Sequence, residues 1–135
     1  MIKARLKERL VQCFAAGVEK GYWTAAAAGD YGIEVPKNPD HGDFSTNMAM
    51  VMAGKERKNP RELAARLVEL LGAHTDLVER LEVAGPGFVN IVVPADVWRS
   101  VLPLVCQQNE SFGRSQIGAG KKVLVEFVSA NPTGP

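Results

Sequence analysis

The feature that most limits how this chain can fold is a pair of β-rich runs, residues 81–84 and 88–93, joined by Gly85-Pro86-Gly87. Glycines accept the positive φ angles that a tight turn needs, and the proline ring fixes its own φ angle. Runs of this composition on either side of such a turn are typical of a β-hairpin. The sequence therefore predicts two antiparallel strands here.

The two faces of the second strand differ in chemistry, because successive side chains point to opposite sides of a sheet. Val89, Ile91 and Val93 give one face an apolar surface that helices should cover. Phe88 and Asn90 lie on the other face, where a ring that can stack stands beside an amide that donates and accepts hydrogen bonds. That pairing suits an unpaired nucleobase. Packing in a second layer of core is the commoner role for a phenylalanine, so the residues alone favour packing over base binding.

The composition is that of a globular protein and not of a membrane or secreted one. The chain has 135 residues, of which 46% are hydrophobic and 23% charged, as in an ordinary globular domain. A net charge of +1 argues neither for nor against nucleic acid as a partner. The charged, amphipathic start is unlike a signal peptide, and no apolar run reaches the ~20 residues that would span a bilayer. Cys13 and Cys106 lack Cys-x-x-Cys spacing and are expected to be reduced core thiols of a cytoplasmic protein. A disulfide between them is the less favoured alternative.

Apolar periodicity and helix-end signals predict four helices. The first helix is predicted to begin at residue 2, and the second to follow a cap at Asp43 or Ser45. The third is predicted to begin at Asn59-Pro60 and the fourth at residues 94–96. The first helix is predicted to end near Gly17 or Gly21, the second at Gly54 and the third at Gly72. Pro103 should kink or split the fourth helix.

The segment before the third helix is basic and contains Arg57 and Lys58. These cations could hold phosphates, although a solvated helix start is the commoner situation. His41 is expected to be an exposed loop histidine, because no nucleophile pattern accompanies it. The sequence accordingly predicts no catalytic residue and no metal site.

Two further strands are predicted, at residues 33–35 and 122–128. The second is continuously apolar, as in a sheet covered on both sides, and runs into a turn signal at 129–135. A strand of that type with no following helix cannot complete a parallel sheet, so the chain is expected to be a piece of a longer protein.

Val125 to Pro135, which reads Val-Glu-Phe-Val-Ser-Ala-Asn-Pro-Thr-Gly-Pro, closely resembles the signature that opens the catalytic domain of arginyl-tRNA synthetases. Two shorter segments agree with this resemblance and come in the family's order. Residues 42–47 are similar to the family's Gly-Asp-aromatic-x-Thr-Asn segment, and residues 87–90 are similar to its Gly-aromatic-x-Asn segment. In the family, the long signature leads into a Leu-His-x-Gly-His segment that binds ATP.

The resemblance implies a fold and a division of the chain. Residues 1–115 would form an N-terminal domain that binds the D-loop at the outer corner of tRNA. Its fold would be α+β, with two layers in which helices pack on one face of a small antiparallel sheet of about four strands. Residues 116–135 would be a linker and the truncated start of the class I, Rossmann-type catalytic domain.

The resemblance also assigns roles to individual residues. Phe88 and Asn90, with Gly87 beside them, would read a D-loop nucleotide, which overturns the preference for packing. The family's aromatic residue is often tyrosine, so Phe88 keeps the stacking and loses the hydroxyl. Glu126 and Asn131, with Ser129 close by, would bind the arginine substrate, since a carboxylate complements a cationic amino acid.

The implied function is that of the N-terminal fragment of an arginine–tRNA ligase. The parent enzyme would attach L-arginine to tRNA(Arg) using ATP with Mg. The fragment itself would be inactive, would hold no cofactor, would not bind a membrane and would be monomeric. A stand-alone RNA-binding or interaction domain without an enzymatic parent is the alternative.

Overall fold

The computed structural model of the chain describes residues 1–126. Four strands, β1 (Ile33–Glu34), β2 (Phe44–Thr46), β3 (Arg80–Ala84) and β4 (Phe88–Val92), form one antiparallel sheet in the order β1-β2-β4-β3. The helices are α1 (Ile2–Glu19), α2 (Met48–Glu56), α3 (Pro60–Leu71), α4 (Ala95–Arg99) and α5 (Val101–Gln108). The predicted α+β class and the four-stranded antiparallel sheet are confirmed.

The helix starts follow from local sequence. The Asn59 side chain caps α3 by accepting a hydrogen bond from the Arg61 backbone N–H at 2.9 Å, and Pro60 occupies the first helical position. The helix ends before Gly72, as predicted. In α1, apolar residues at a spacing of three to four bury one stripe, which faces α3 in the helical layer.

The helical layer seals one face of the sheet. Val89 and Ile91 are fully buried and Val93 is 3% exposed, beneath α2 and α3. Phe88, on the opposite face, is 39% exposed. The strand parity predicted from the sequence is therefore confirmed, and the side chains of Phe88 and Asn90 lie on the face that the helices leave open.

The region around Asp43 differs from the prediction. Residues 44–46 form β2, which pairs with β4, and Asn47 precedes α2 in place of a cap at Asp43 or Ser45. One carboxylate oxygen of Asp43 accepts a hydrogen bond from the Val93 backbone N–H at 2.8 Å, so this side chain joins strands instead of capping a helix. The helix also continues through Gly54 and ends at Arg57, whose φ of 56° is left-handed.

The break between the last two helices falls at Ser100, three residues before Pro103. A proline has no N–H to donate to the carbonyl four residues earlier, here Arg99, and its ring clashes with that carbonyl. Pro103 lies in the first turn of α5, where backbone N–H groups have no partner within the helix, so its missing N–H costs nothing. The predicted split is confirmed, with its position displaced toward the N-terminus.

Residues 122–126, the described part of the predicted strand at 122–128, pair with no strand of the sheet. Val123 is 73% exposed and Leu124 is 94% exposed. A strand is stabilised by its neighbours, and here none of the described strands lies beside this segment. Residues 127 and 128 lie outside the described part of the chain.

Two smaller predictions concern the thiols and the membrane. Cys13 and Cys106 are both free thiols, as expected. Cys13 is buried, but Cys106 is exposed, so the prediction that Cys106 lies in the core is wrong. Within residues 1–126 we find no helix whose length and hydropathy would allow it to cross a bilayer.

Candidate functional site

A groove of about 680 Å³ lies over the open face of the sheet. Its floor comes from β2 and β4, one wall comes from the segment between β1 and β2, and the other wall comes from the β3–β4 turn. The lining includes Phe88 and Asn90, two of the residues that the sequence predicted. Its volume is within the range of sites that hold small ligands.

A row of polar side chains crosses the sheet beneath this groove. Glu34 pairs with Ser45, Ser45 pairs with Asn90, and Asn90 pairs with Glu82, so one residue from each strand contributes to the row. Residues directly opposite in adjacent strands point to the same face. Hydroxyl, amide and carboxylate groups thus stand together in the middle of a sheet whose reverse is apolar.

The hairpin turn holds the Phe88 ring at the end of the groove. Gly87 has a φ of +142°, and a Cβ atom there would lie 3.0 Å from both the Cβ and the carbonyl oxygen of Pro60. Arg61 donates a hydrogen bond from its guanidinium to the Gly85 carbonyl oxygen at 2.8 Å. The turn is therefore docked on the first turn of α3, and only glycine fits this conformation and approach. Gly87 positions the ring without lining the groove itself.

Asn90 is buried, but part of its side-chain amide has no hydrogen-bond partner among the described residues. Its side chain belongs to a residue that is 5% exposed, and its Nδ2 has no hydrogen-bond partner among residues 1–126. Asn47, which lines the same groove, accepts a hydrogen bond from the Gly32 backbone N–H at 2.8 Å through Oδ1. An unpaired buried donor costs free energy, so the Asn90 amide nitrogen is a polar group that the described residues leave unsatisfied.

The wall between β1 and β2 places Lys37 and His41 at the groove. His41 is exposed, as predicted from the sequence. Lys37 was not predicted as a site residue, and the sequence did not indicate that both side chains border one cavity. Gly42, with a φ of +88°, lies so close to β4 that a Cβ atom would be 2.8 Å from the Ile91 carbonyl oxygen. The turn residues in this segment were the available signal, since they bring the chain back over the sheet.

Arg57 and Lys58 do not line the groove. The Lys58 ammonium lies 2.7 Å from a carboxylate oxygen of Glu56 and donates to the Tyr22 carbonyl oxygen at 3.2 Å. Hydrogen bonds from Lys58 and then from Thr24 lower the pKa of Glu56 to about 2. Lys58 thus helps to fix the end of α2, whereas Arg57 is exposed.

The described part of the chain contains one of the three predicted arginine-binding residues. Glu126 is exposed at the end of the described chain, and Ser129 and Asn131 lie outside it. Within residues 1–126 no three His, Cys, Asp or Glu side chains come together in a way that could hold a metal ion. The residues that line the groove offer an aromatic ring, hydrogen-bonding groups and charged side chains.

Comparison with known proteins agrees with the residue pattern. Residues 1–93 match the family described as arginyl tRNA synthetase N terminal domain. An arginine–tRNA ligase of Desulfotalea psychrophila is 56% identical over 135 residues, which is all of this chain and 24% of that protein. The ligase of Citrifermentans bemidjiense is 46% identical over 134 residues, or 96% of this chain and 24% of that protein. The ligase of Anaeromyxobacter dehalogenans strain 2CP-C is 44% identical over 137 residues, or 100% of this chain and 23% of that protein. The chain therefore spans about a quarter of the length of these relatives.

Proposed function

We propose a tRNA-binding function for this chain, which belongs to the family of arginyl-tRNA synthetase N-terminal domains. The chain binds the D-loop at the outer corner of tRNA(Arg), and an unpaired base of that loop enters the groove on the open face of the sheet. Residues 1–115 form the binding domain, and residues 116–135 are the linker and the beginning of the catalytic domain.

The observation that carries this proposal is the state of the Phe88–Asn90 pair. The Phe88 ring is 39% exposed beside the Asn90 amide, whose Nδ2 is buried and without a partner. A base stacked on the ring would bring an acceptor atom to that amide, which would satisfy the donor and fix the base in its plane. Neither feature is typical of a purely structural role, because most core rings are buried and most core amides are paired.

Electrostatics adds a contribution that does not depend on the base. Arg57 and Lys58, near the start of α3, contact tRNA phosphates outside the groove. Their effect is expected to weaken with salt, because phosphate contacts release bound counterions. The Lys58 ammonium already pairs with Glu56, so its attraction to a tRNA phosphate is partly offset.

For the whole protein we propose the activity in the relatives' names, arginine–tRNA ligase. ATP with Mg activates L-arginine, which is then transferred to the tRNA, and the protein acts in translation in the cytoplasm. Glu126, Ser129 and Asn131 bind the arginine substrate. The test is whether the full-length protein attaches labelled arginine to tRNA(Arg). If it does not, but attaches a different amino acid, the proposed activity is wrong.

The binding proposal is tested by Phe88→Ala. Loss of one stacked base should weaken binding of a tRNA(Arg) transcript by about 1–3 kcal/mol, or roughly 5- to 150-fold. Phe112→Ala is the matched control, because Phe112 follows the last helix and does not line the groove. Binding is measured by fluorescence anisotropy, and thermal unfolding checks that both variants are folded. Equal affinity for wild type and Phe88→Ala would refute the proposal.

A further inference from the structure

We propose that Lys37 binds the phosphate of the nucleotide whose base stacks on Phe88. This inference rests on the proposed function, because it concerns the same groove and the same nucleotide. It adds a residue that the family-like segments do not contain, since Lys37 lies outside residues 42–47 and 87–90.

The charges along the groove point to Lys37. Among the described residues that line it, Lys37 carries the one ammonium group, and Glu34 carries a carboxylate. Lys37 forms no ion pair with any of residues 1–126, whereas Lys58 is paired with Glu56. A nucleotide in the groove brings a negative phosphate, which is disfavoured beside the Glu34 carboxylate of β1. The favourable position for that phosphate is the wall that carries Lys37.

The segment that presents Lys37 is fixed to the strand that presents Asn90. The Asp43 backbone N–H donates to the Ile91 carbonyl oxygen at 2.9 Å, and the Asp43 carboxylate accepts from the Val93 backbone N–H at 2.8 Å. Both contacts are with the continuation of the strand that bears Asn90. Movement of the wall relative to the base-binding residues is therefore restricted.

The same segment is stiffened from within. Asn38 accepts a hydrogen bond from the Asp40 backbone N–H at 3.1 Å through its side chain, and a short 3-10 turn follows at Pro39–His41. Prolines at 36 and 39 limit the backbone further. A preorganised segment loses less conformational entropy when it binds, so the Lys37 backbone is already placed for a ligand in the groove.

The test is Lys37→Gln, measured as the salt dependence of binding to a tRNA(Arg) transcript. Removing one phosphate contact should reduce the slope of log K against log salt by about 0.7–0.9, which corresponds to a loss of roughly 5- to 8-fold at about 0.1 M salt. Lys3→Gln removes the same charge from the exposed face of α1 and serves as the control. Lys37→Arg should restore most of the affinity, because it keeps the charge.

Combination with Phe88→Ala separates this inference from the proposed function. If both residues hold one nucleotide, the double variant should lose at least about 2-fold less affinity than the product of the two single losses. If Phe88→Ala weakens binding and Lys37→Gln leaves the slope unchanged, the Lys37 inference is wrong and the proposed function stands. Strictly multiplicative losses would mean that Lys37 contacts another nucleotide, which also overturns it. If Phe88→Ala has no effect, both are wrong, whatever Lys37→Gln does.

Discussion

Replacement of Asn90 by leucine should stabilise the free chain while it weakens RNA binding. The buried Nδ2 of Asn90 has no hydrogen-bond partner among residues 1–126. A buried polar group left unpaired costs about 1–3 kcal/mol, and an apolar side chain in its place removes that cost. Leucine has a similar branched shape, and its extra methyl volume is accommodated by the adjoining groove.

The magnitude can be read from a urea titration. For a slope of about 2 kcal/mol per molar urea, a gain of about 1–3 kcal/mol raises the unfolding midpoint by roughly 0.5–1.5 M. The same variant should lose affinity for the tRNA(Arg) transcript, because the amide that contacts the base is gone. Stability and binding thus change in opposite directions at one position.

Asn47→Leu is the matched control. It makes the same chemical change in the same groove, but Asn47 accepts a hydrogen bond from the Gly32 backbone N–H at 2.8 Å. Leucine would leave that N–H unpaired, so the unfolding midpoint should fall. If Asn90→Leu lowers the midpoint as Asn47→Leu does, the Asn90 amide is structural and the reasoning about a free donor is refuted.

Two other variants test the contacts that fix the hairpin turn and the end of α2. Gly87→Ala should destabilise the chain by about 2–4 kcal/mol, from left-handed backbone strain and the close approach to Pro60, and an unchanged urea midpoint would contradict the docking of the turn on α3. Hydrogen bonds from Lys58 and Thr24 hold the pKa of Glu56 at about 2, below its usual value of 4.5, so their stabilisation is complete above pH 4.5 and is lost as the pH falls toward 2. Glu56→Gln should flatten the dependence of unfolding free energy on pH in that interval, and a wild-type pH profile would show that the carboxylate contributes nothing.

The sequence was most informative where a local rule decides the structure. Alternation along residues 88–93 predicted which side chains face the helices, and the Asn59-Pro60 pair predicted the start of α3. Both depend on the chain's own geometry, so neighbouring elements do not change them. The likeness of residues 87–90 to the family pattern then favoured RNA binding over packing.

Features that depend on distant partners were missed. The strand at 44–46 is short and is stabilised by pairing with β4, and no local pattern separates it from a helix cap. Residues 122–126, the described part of the run predicted as a strand, have no neighbouring strand among the described residues. Neither the missing partner of Asn90 nor the position of Lys37 on the groove wall can be read from sequence, because each requires the assembled sheet.

Direct contact between Phe88 and an unpaired D-loop base is tested most directly with RNA that lacks a base. A series of tRNA(Arg) molecules, each with one abasic D-loop position, is titrated with the wild-type chain and with Phe88→Ala. We predict one position at which removal of the base weakens wild-type binding by roughly 5- to 150-fold and weakens binding by Phe88→Ala much less, because that variant has only the Asn90 hydrogen bond to the base left to lose. If every abasic position affects the two proteins equally, no base stacks on this ring.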